Sequence, residues 1–247
     1  MAEWLRARVQ EAGARGIVVG LSGGVDSAVV ARVAQMACPE GVMTVIMPAM
    51  SDPQDAEDAT LVAGAFDLPV MTIDLARPFE ALLVQAQQEL GTWPPGTAPE
   101  DEKSARLAQA NLKPRLRMTT LYYVANRLNY LVAGTGNRTE IAIGYYTKYG
   151  DGGVDVLPLG ALVKSEVRAL ARELGVPSRI VEKPPSAGLW IGQTDEGEMG
   201  FTYAELEDYL LRGPDAVAPA TAMKIERLAR ASEHKRRLPP VFEPDAQ

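Results

Sequence analysis

The sequence predicts an α/β fold, a parallel sheet with helices on both faces. Two observations carry that expectation. Over residues 16–90 short apolar runs alternate with amphipathic stretches, and a Gly-Ser-rich turn lies where the first run gives way to helical sequence. Such alternation is the signature of βαβ units, in which each strand needs a crossover helix to return to the sheet in parallel. Strands are expected at 17–21 (IVVGL), 42–47 (VMTVIM) and 69–73 (PVMTI), followed by helices at 24–37, 52–66 and 77–90. Asp52 suits the N-cap of the second helix, with Pro53 at its first position and acids behind it at the positive end of the dipole. The stretch 91–103 (GTWPPGTAPEDEK) has three prolines, two glycines and no periodicity. It reads as a mobile surface loop, or alternatively as a linker between domains. A long helix follows at about 103–128, then a fourth strand at 130–133 (YLVA) and a fifth at 154–157. Helical patterns return at 164–174, 203–211 and 218–237, while 184–200 is Gly-rich, acidic and irregular, and reads as a second mobile segment.

Composition narrows the class. The chain has 247 residues, 47% of them hydrophobic, enough for one large core, and it is read as a single domain. With 25 basic and 32 acidic side chains the formal charge is −7, so a nucleic acid partner is not expected. The one cysteine, Cys38, excludes an intrachain disulfide framework and reads as a packing residue; the one histidine, His234, excludes a His-rich metal site. The first residues, MAEWLRARVQEAG, lack the apolar stretch of a signal peptide, and no apolar run approaches the roughly 18–20 residues that span a bilayer. A cytoplasmic protein without membrane contact is expected.

The most informative segment is Gly20-Leu21-Ser22-Gly23-Gly24-Val25-Asp26-Ser27. Its glycines let backbone N–H groups turn inward, the following helix adds its positive dipole end, and Ser22 and Ser27 add hydroxyls, so the turn suits a polyphosphate. It has neither the lysine of a Walker A loop nor the spacing of a dinucleotide fingerprint. It resembles the SGG-x-DS signature of the ATP pyrophosphatase (PP-loop) superfamily. Three further blocks resemble the NAD synthetase family: Gly134-Thr135-Gly136-Asn137-Arg138-Thr139-Glu140, the run from Gly144 to Gly153 (GYYTKYGDGG), and Asp155-Val156-Leu157-Pro158-Leu159 with Lys164. Residues 186–190 (SAGLW), 192–196 (GQTDE) and 233–236 (EHKR) are similar to later blocks of that family, so the resemblance runs from about 16 to 237.

The resemblance implies ATP-dependent amidation of deamido-NAD (nicotinic acid adenine dinucleotide) through an adenylated intermediate, with ammonia as nitrogen donor and AMP and pyrophosphate as products. It implies that Asp26 and Glu140 bind magnesium and that Gly20 to Ser27, Thr135, Lys164 and Ser186 bind ATP. Arg115, Lys148, Asp155, His234 and Lys235 are implied to bind deamido-NAD. Asp151 is implied to act catalytically beside Lys164, near the transferred carboxyl group. Simpler readings stand beside these: Asp26 as a cap, Glu140 as a solvated helix acid, Asp151 as a turn residue, and the basic end HKRR as compensation of a helix dipole. Lys164 as a surface lysine is disfavoured because a cation at a helix start opposes the dipole. Tyr122 and Tyr123 suit stacking on the nicotinate ring, but aromatic pairs in long helices are more often core. Glutamine-dependent relatives carry an added glutaminase domain that this length does not hold, so the donor is free ammonia or ammonia from a separate glutaminase subunit. Family members are homodimers, and the apolar residues Leu112, Leu116, Leu121, Tyr122, Val124 and Leu128 point to the 103–128 helix as the dimer surface.

Overall fold

A computed structural model describes residues 1–91, 101–186, 188, 190 and 193–242, except the side chain of Lys103. The chain runs α1 (Ala2–Glu11), β1 (Gly16–Gly20), α2 (Val25–Ala37), β2 (Val42–Ile46), α3 (Pro53–Ala65), β3 (Val70–Thr72), α4 (Ala76–Leu90), α5 (Glu102–Leu128) and β4 (Tyr130–Ala133). Beyond the sheet come α6 (Arg138–Ile143), α7 (Lys164–Glu173), α8 (Ser178–Val181), α9 (Asp195–Met199), α10 (Tyr203–Arg212), α11 (Pro219–Ala231) and α12 (Glu233–Arg236). All strand pairings are parallel, in the order β3-β2-β1-β4, with Ile17 level with Val42 on one side and Leu131 on the other.

Side chains alternate across β1 with the two-residue period of a strand, and this splits the core. Ile17 and Val19 pack with Leu5 and Val9 of α1, Val29 and Val33 of α2, Val62 of α3, and Val167 and Ala171 of α7. Val18 faces the other way and joins Val45, Val132, and Val124 and Ala125 of α5. Each such valine or isoleucine contributes about 1.5–3 kcal/mol over its exposed state. A third cluster of Ile143, Met199, Phe201, Tyr203, Leu206 and Ile225 joins α6, α9, α10 and α11 beyond the sheet. Winding outward from β1 to β2 and β3, then crossing back to β4, opens a crevice at the carboxyl ends of β1 and β4, where α/β sheets bind ligands.

Most expected elements form, with Asp52 capping α3 by accepting from the Gln54 N–H at 2.9 Å. The differences have local causes. The fifth strand is a single parallel bridge between Ala133 and Val156, because the chain turns away immediately afterward. The helix expected at 218–237 breaks at Ser232, whose hydroxyl donates to Ile143 O at 2.9 Å and so bends the chain onto α6. The segment 184–200 contains α9, which Gly200 ends in the left-handed conformation. Helices α1 and α6 were not expected; α1 is weakly amphipathic, and α6 is too short for periodicity. The loop expected at 92–101 falls outside the described residues except for Asp101, whose side chain caps α5 by accepting from the Ser104 N–H at 2.7 Å. Ala187, Leu189, Ile191 and Gly192 also lie outside them.

The apolar side of α5 lies toward the sheet. Leu116, Leu121, Tyr122, Val124 and Leu128 pack on the sheet, with Val124 buried and the other four partly buried. Exposed apolar side chains lie instead on α4, at Leu82, Val84 and Leu90, and at Leu107 near the start of α5.

Candidate active site

The phosphate loop sits at the carboxyl end of β1 and runs into α2. Ser27 is buried, and its hydroxyl accepts the Ser22 N–H at 3.2 Å and donates to Gly24 O at 2.9 Å, which folds the turn back on itself. The Ser22 and Ser27 hydroxyls lie 3.1 Å apart. Gly23 has φ +79°, and a Cβ there would stand 2.5 Å from Asp55 O of α3, so only glycine fits. Leu21 and Val25 are buried and anchor the loop at both ends.

Three elements converge beside it. Asp26, in the first turn of α2, accepts from Asn137 Nδ2 at 3.0 Å through Oδ1 and from Lys164 Nζ through Oδ2. Glu140 lies on α6, whose capping box has Asn137 accepting from the Glu140 N–H while the Glu140 side chain accepts from the Asn137 N–H at 3.1 Å. Lys164 opens α7, only 4% exposed, with its ammonium 3.5 Å from Glu140 Oε1 and 5.3 Å from the centre of the Tyr203 ring. The surface reading of Lys164 therefore fails. Tyr203 in turn donates to Asp195 Oδ2 at 2.9 Å. Burial pushes the Glu140 carboxyl up to about 8, with Lys164 pulling against that rise and Asp26 adding to it. Burial alone would lower the Lys164 ammonium, but Asp26 and Glu140 outweigh it and hold it above the ordinary lysine range.

Two carboxylates thus flank the Lys164 ammonium beside the loop. Among the described residues no three metal-ligating side chains converge. Hard oxygen donors with so few protein ligands suit Mg²⁺, which keeps water and phosphate oxygens in its shell.

A second cluster is basic. Lys148 Nζ donates to His234 O at 2.6 Å, and Lys235 Nζ donates to Gly144 O at 2.7 Å and Tyr146 O at 2.6 Å. Exposed Arg115 reaches the Lys148 carbonyl at 3.4 Å. Burial lowers the Lys235 ammonium, which Asp151 partly offsets while Arg236 and Arg115 add to the fall. Lys148, Lys235, Arg236 and Arg237 line a cleft of about 280 Å³ with Tyr146 and Tyr149. Gly144 has φ +66°, and a Cβ there would stand 2.2 Å from Ser232 Cβ, so this close approach of α6 to α12 requires glycine.

The structure therefore gathers Ser22, Asp26, Ser27, Glu140 and Lys164 at one cluster and Arg115, Lys148, His234 and Lys235 at another. Helix α6, about 9 Å long at 1.5 Å per residue, joins them, with its first turn in one and its carboxyl end in the other. Asp151 is exposed, with Oδ1 accepting from the Thr147 N–H at 2.9 Å, and its charge is felt at both Arg117 and Lys235. Asp155 accepts from Tyr122 OH at 2.9 Å and from the Val132 N–H at 2.8 Å, so it ties α5 to β4. Tyr122 is thereby engaged, and Tyr123 points to solvent. Thr135 is half-buried in the turn after β4, and exposed Ser186 accepts from the Gly188 N–H at 3.2 Å. Cys38 is partly buried against the core, and burial raises its thiol. Asn137 was given no role of its own, although Asn-x-x-Glu is a capping-box pattern readable in sequence. Asp195 and Tyr203 carried no such signal.

Comparison with known proteins identifies the family. The NAD synthase family model matches residues 1–239. The NH(3)-dependent NAD(+) synthetase of Carboxydothermus hydrogenoformans is 53% identical over 98% of this chain and 94% of its own. Among solved structures, NMN synthetase from Francisella tularensis superposes with a TM-score of 0.86 at 37% identity, over 99% of this chain and 95% of that one. The NH3-dependent NAD synthetase of Campylobacter jejuni gives 0.77 at 26% identity, over 98% and 96%.

Proposed function

Since the chain belongs to the NAD synthase family, we infer that it is a ligase that amidates deamido-NAD to NAD, using ATP and ammonia and releasing AMP and pyrophosphate. The observation that carries this reading is the convergence of Asp26, Glu140 and Lys164 beside the phosphate loop. A carboxylate oxygen is a poor leaving group, so the nicotinate carboxylate first attacks the α-phosphorus of ATP and pyrophosphate departs. Ammonia then adds to the acyl carbon and AMP leaves. The work of the chain is positioning and charge neutralisation.

The N–H groups and hydroxyls of residues 20–27 cradle the outer phosphates, with Thr135 and Ser186 as further donors to ATP. Lys164 supplies the positive charge that the loop lacks. Asp26 and Glu140 would hold Mg²⁺, which when bound neutralises charge on the phosphates. Arg115, Lys148, His234 and Lys235 receive the pyrophosphate and carboxylate of the dinucleotide, Asp155 its ribose, and Asp151 orients the reacting carboxyl region. The whole chain serves as one synthetase domain. A cytoplasmic setting suits a nucleotide ligase, and among the described residues no helix is long and apolar enough to cross a membrane. A homodimer is part of this reading, as the family resemblance implies, and sizing tests it.

The similarity to an NMN synthetase favours a second reading, in which the acid form of the mononucleotide is the substrate. One assay separates them. With ammonia, Mg²⁺ and ATP, deamido-NAD is expected to give AMP and pyrophosphate faster than nicotinic acid mononucleotide. The reverse preference selects the second reading, and substrate-dependent ADP with orthophosphate overturns both.

A further inference from the structure

Two carboxylates lie directly behind the phosphate loop. A Cβ at Gly23 would stand 2.5 Å from the Asp55 carbonyl oxygen and 2.8 Å from Asp58 Cβ, so the loop rests on the residues of α3 that carry these acids. Asp58 is buried, 2% exposed. Anions packed under a loop that receives a polyanion weaken binding unless something cancels them. Lys183, two residues past α8, is placed to do so: its ammonium donates to Asp55 Oδ1 at 2.8 Å and to Asp58 Oδ2 at 2.6 Å. Burial lowers this ammonium, but its hydrogen bonds to the two aspartates more than offset that, so it stays charged. Arg179 is largely exposed and lies 2.9 Å from Asp58 Oδ1, so it covers one of the two acids. Asp55 otherwise feels Arg117, which binds Met47 O and Ser51 Oγ instead. The turn after Lys183 leads to Ser186, and a Cβ at Gly188 would stand 3.4 Å from Asp55 Oδ2, so that turn packs on the same acid.

Resting on the reading of this loop as the ATP site, we propose that Lys183 is a positioning residue for ATP: its ammonium cancels Asp55 and Asp58 behind the phosphate loop and ties the turn carrying Ser186 to α3. The lysine acts through the loop and not by touching the reacting atoms. A purely structural tie and a charge-cancelling one differ in a measurable way. If charge is the cause, removing an acid repairs the loss of the lysine.

ATP affinity with Mg²⁺, measured calorimetrically on the full chain without deamido-NAD, tests this. Lys183→Met is expected to fold, because Arg179 still covers Asp58 and Asp55 is open enough for water to reach. Its ATP affinity is expected to fall on the order of tenfold, while KM for deamido-NAD is unchanged. Lys183→Arg keeps the affinity, and Lys183→Met with Asp55→Asn recovers most of it. Wild-type affinity in Lys183→Met, or a double variant no better than the single one, overturns the proposal and leaves the ATP site standing. A wild-type chain that does not bind ATP overturns the site and the proposal together. If Lys183→Met does not fold, Asp55→Asn alone decides: tighter ATP binding upholds the proposal, and unchanged or weaker binding overturns it.

Discussion

Replacing Lys164 by methionine removes the one charge that both carboxylates share and keeps most of the side-chain volume. Lys164 is 4% exposed, and the side chains of Asp26 and Glu140 are 15% and 18% exposed, so all three groups are largely out of water. Breaking a buried pair by deleting one partner costs about 3–5 kcal/mol, because the other charge is left uncompensated. Part of that cost is relieved here. Without its ammonium, Glu140 rises further from its value of about 8 and stays protonated near neutrality, while Asp26 keeps the Asn137 amide. The loss should therefore fall at the lower end, about 3 kcal/mol, or a drop of roughly 6–12 °C in Tm for a domain of this size. The loss should widen above about pH 8, where wild-type Glu140 ionises beside Lys164 while the variant still holds a proton that the unfolded chain has released. Turnover should suffer separately: losing one preorganised charge aimed at developing phosphate charge costs on the order of 100- to 1000-fold in kcat. Thermal melting without ligands and pyrophosphate release at saturating ATP measure the two effects. A folded variant that melts within about 1 °C of wild type and keeps more than about a tenth of its kcat would refute both the buried triad and its role.

Glu140→Gln should remove a slope in the stability of the ligand-free chain. The folded value of Glu140, about 8, exceeds its ordinary 4.5, so the folded state holds the extra proton and stability falls as pH climbs between them. The contribution of Lys164, raised above 10.5, is fully present in that window and is lost only above it. Parallel melting curves for variant and wild type across that range would remove the assignment. Gly23→Ala places a side chain at φ +79° and 2.5 Å from Asp55 O, so it should lower Tm and weaken ATP by more than about tenfold; normal ATP affinity counts against the loop as the phosphate cradle.

Much of the fold was legible because its signals are local. The runs IVVGL, VMTVIM and YLVA need no distant partner to read as strands, and Asp52-Pro53 marks a helix start by its own chemistry. What failed depends on pairing or packing over distance. Residues 154–157 have strand composition but meet β4 at a single position. The break at Ser232 exists because its hydroxyl finds Ile143 O, 89 residues away. That the apolar face of α5 lies toward the sheet is likewise nothing that local sequence says.

The site divides along the same line. The loop 20–27 is contiguous, and its chemistry can be read from residue order. The triad beside the loop is not contiguous: Lys164 meets Asp26 across 138 residues and Glu140 across 24. Each of those three residues alone has an ordinary explanation as a cap, a helix acid or a surface cation. The fold places the first turns of α2, α6 and α7 at one point, which buries Lys164 and sets Glu140 beside it while Glu140 also completes the capping box of α6. A lysine starting α7 opposes that helix dipole, and two acids facing each other repel, so each is unfavourable alone. The combination offsets both costs, and it carries one net negative charge when Glu140 ionises. On the proposed function, that net negative charge is what would favour a divalent cation at this point.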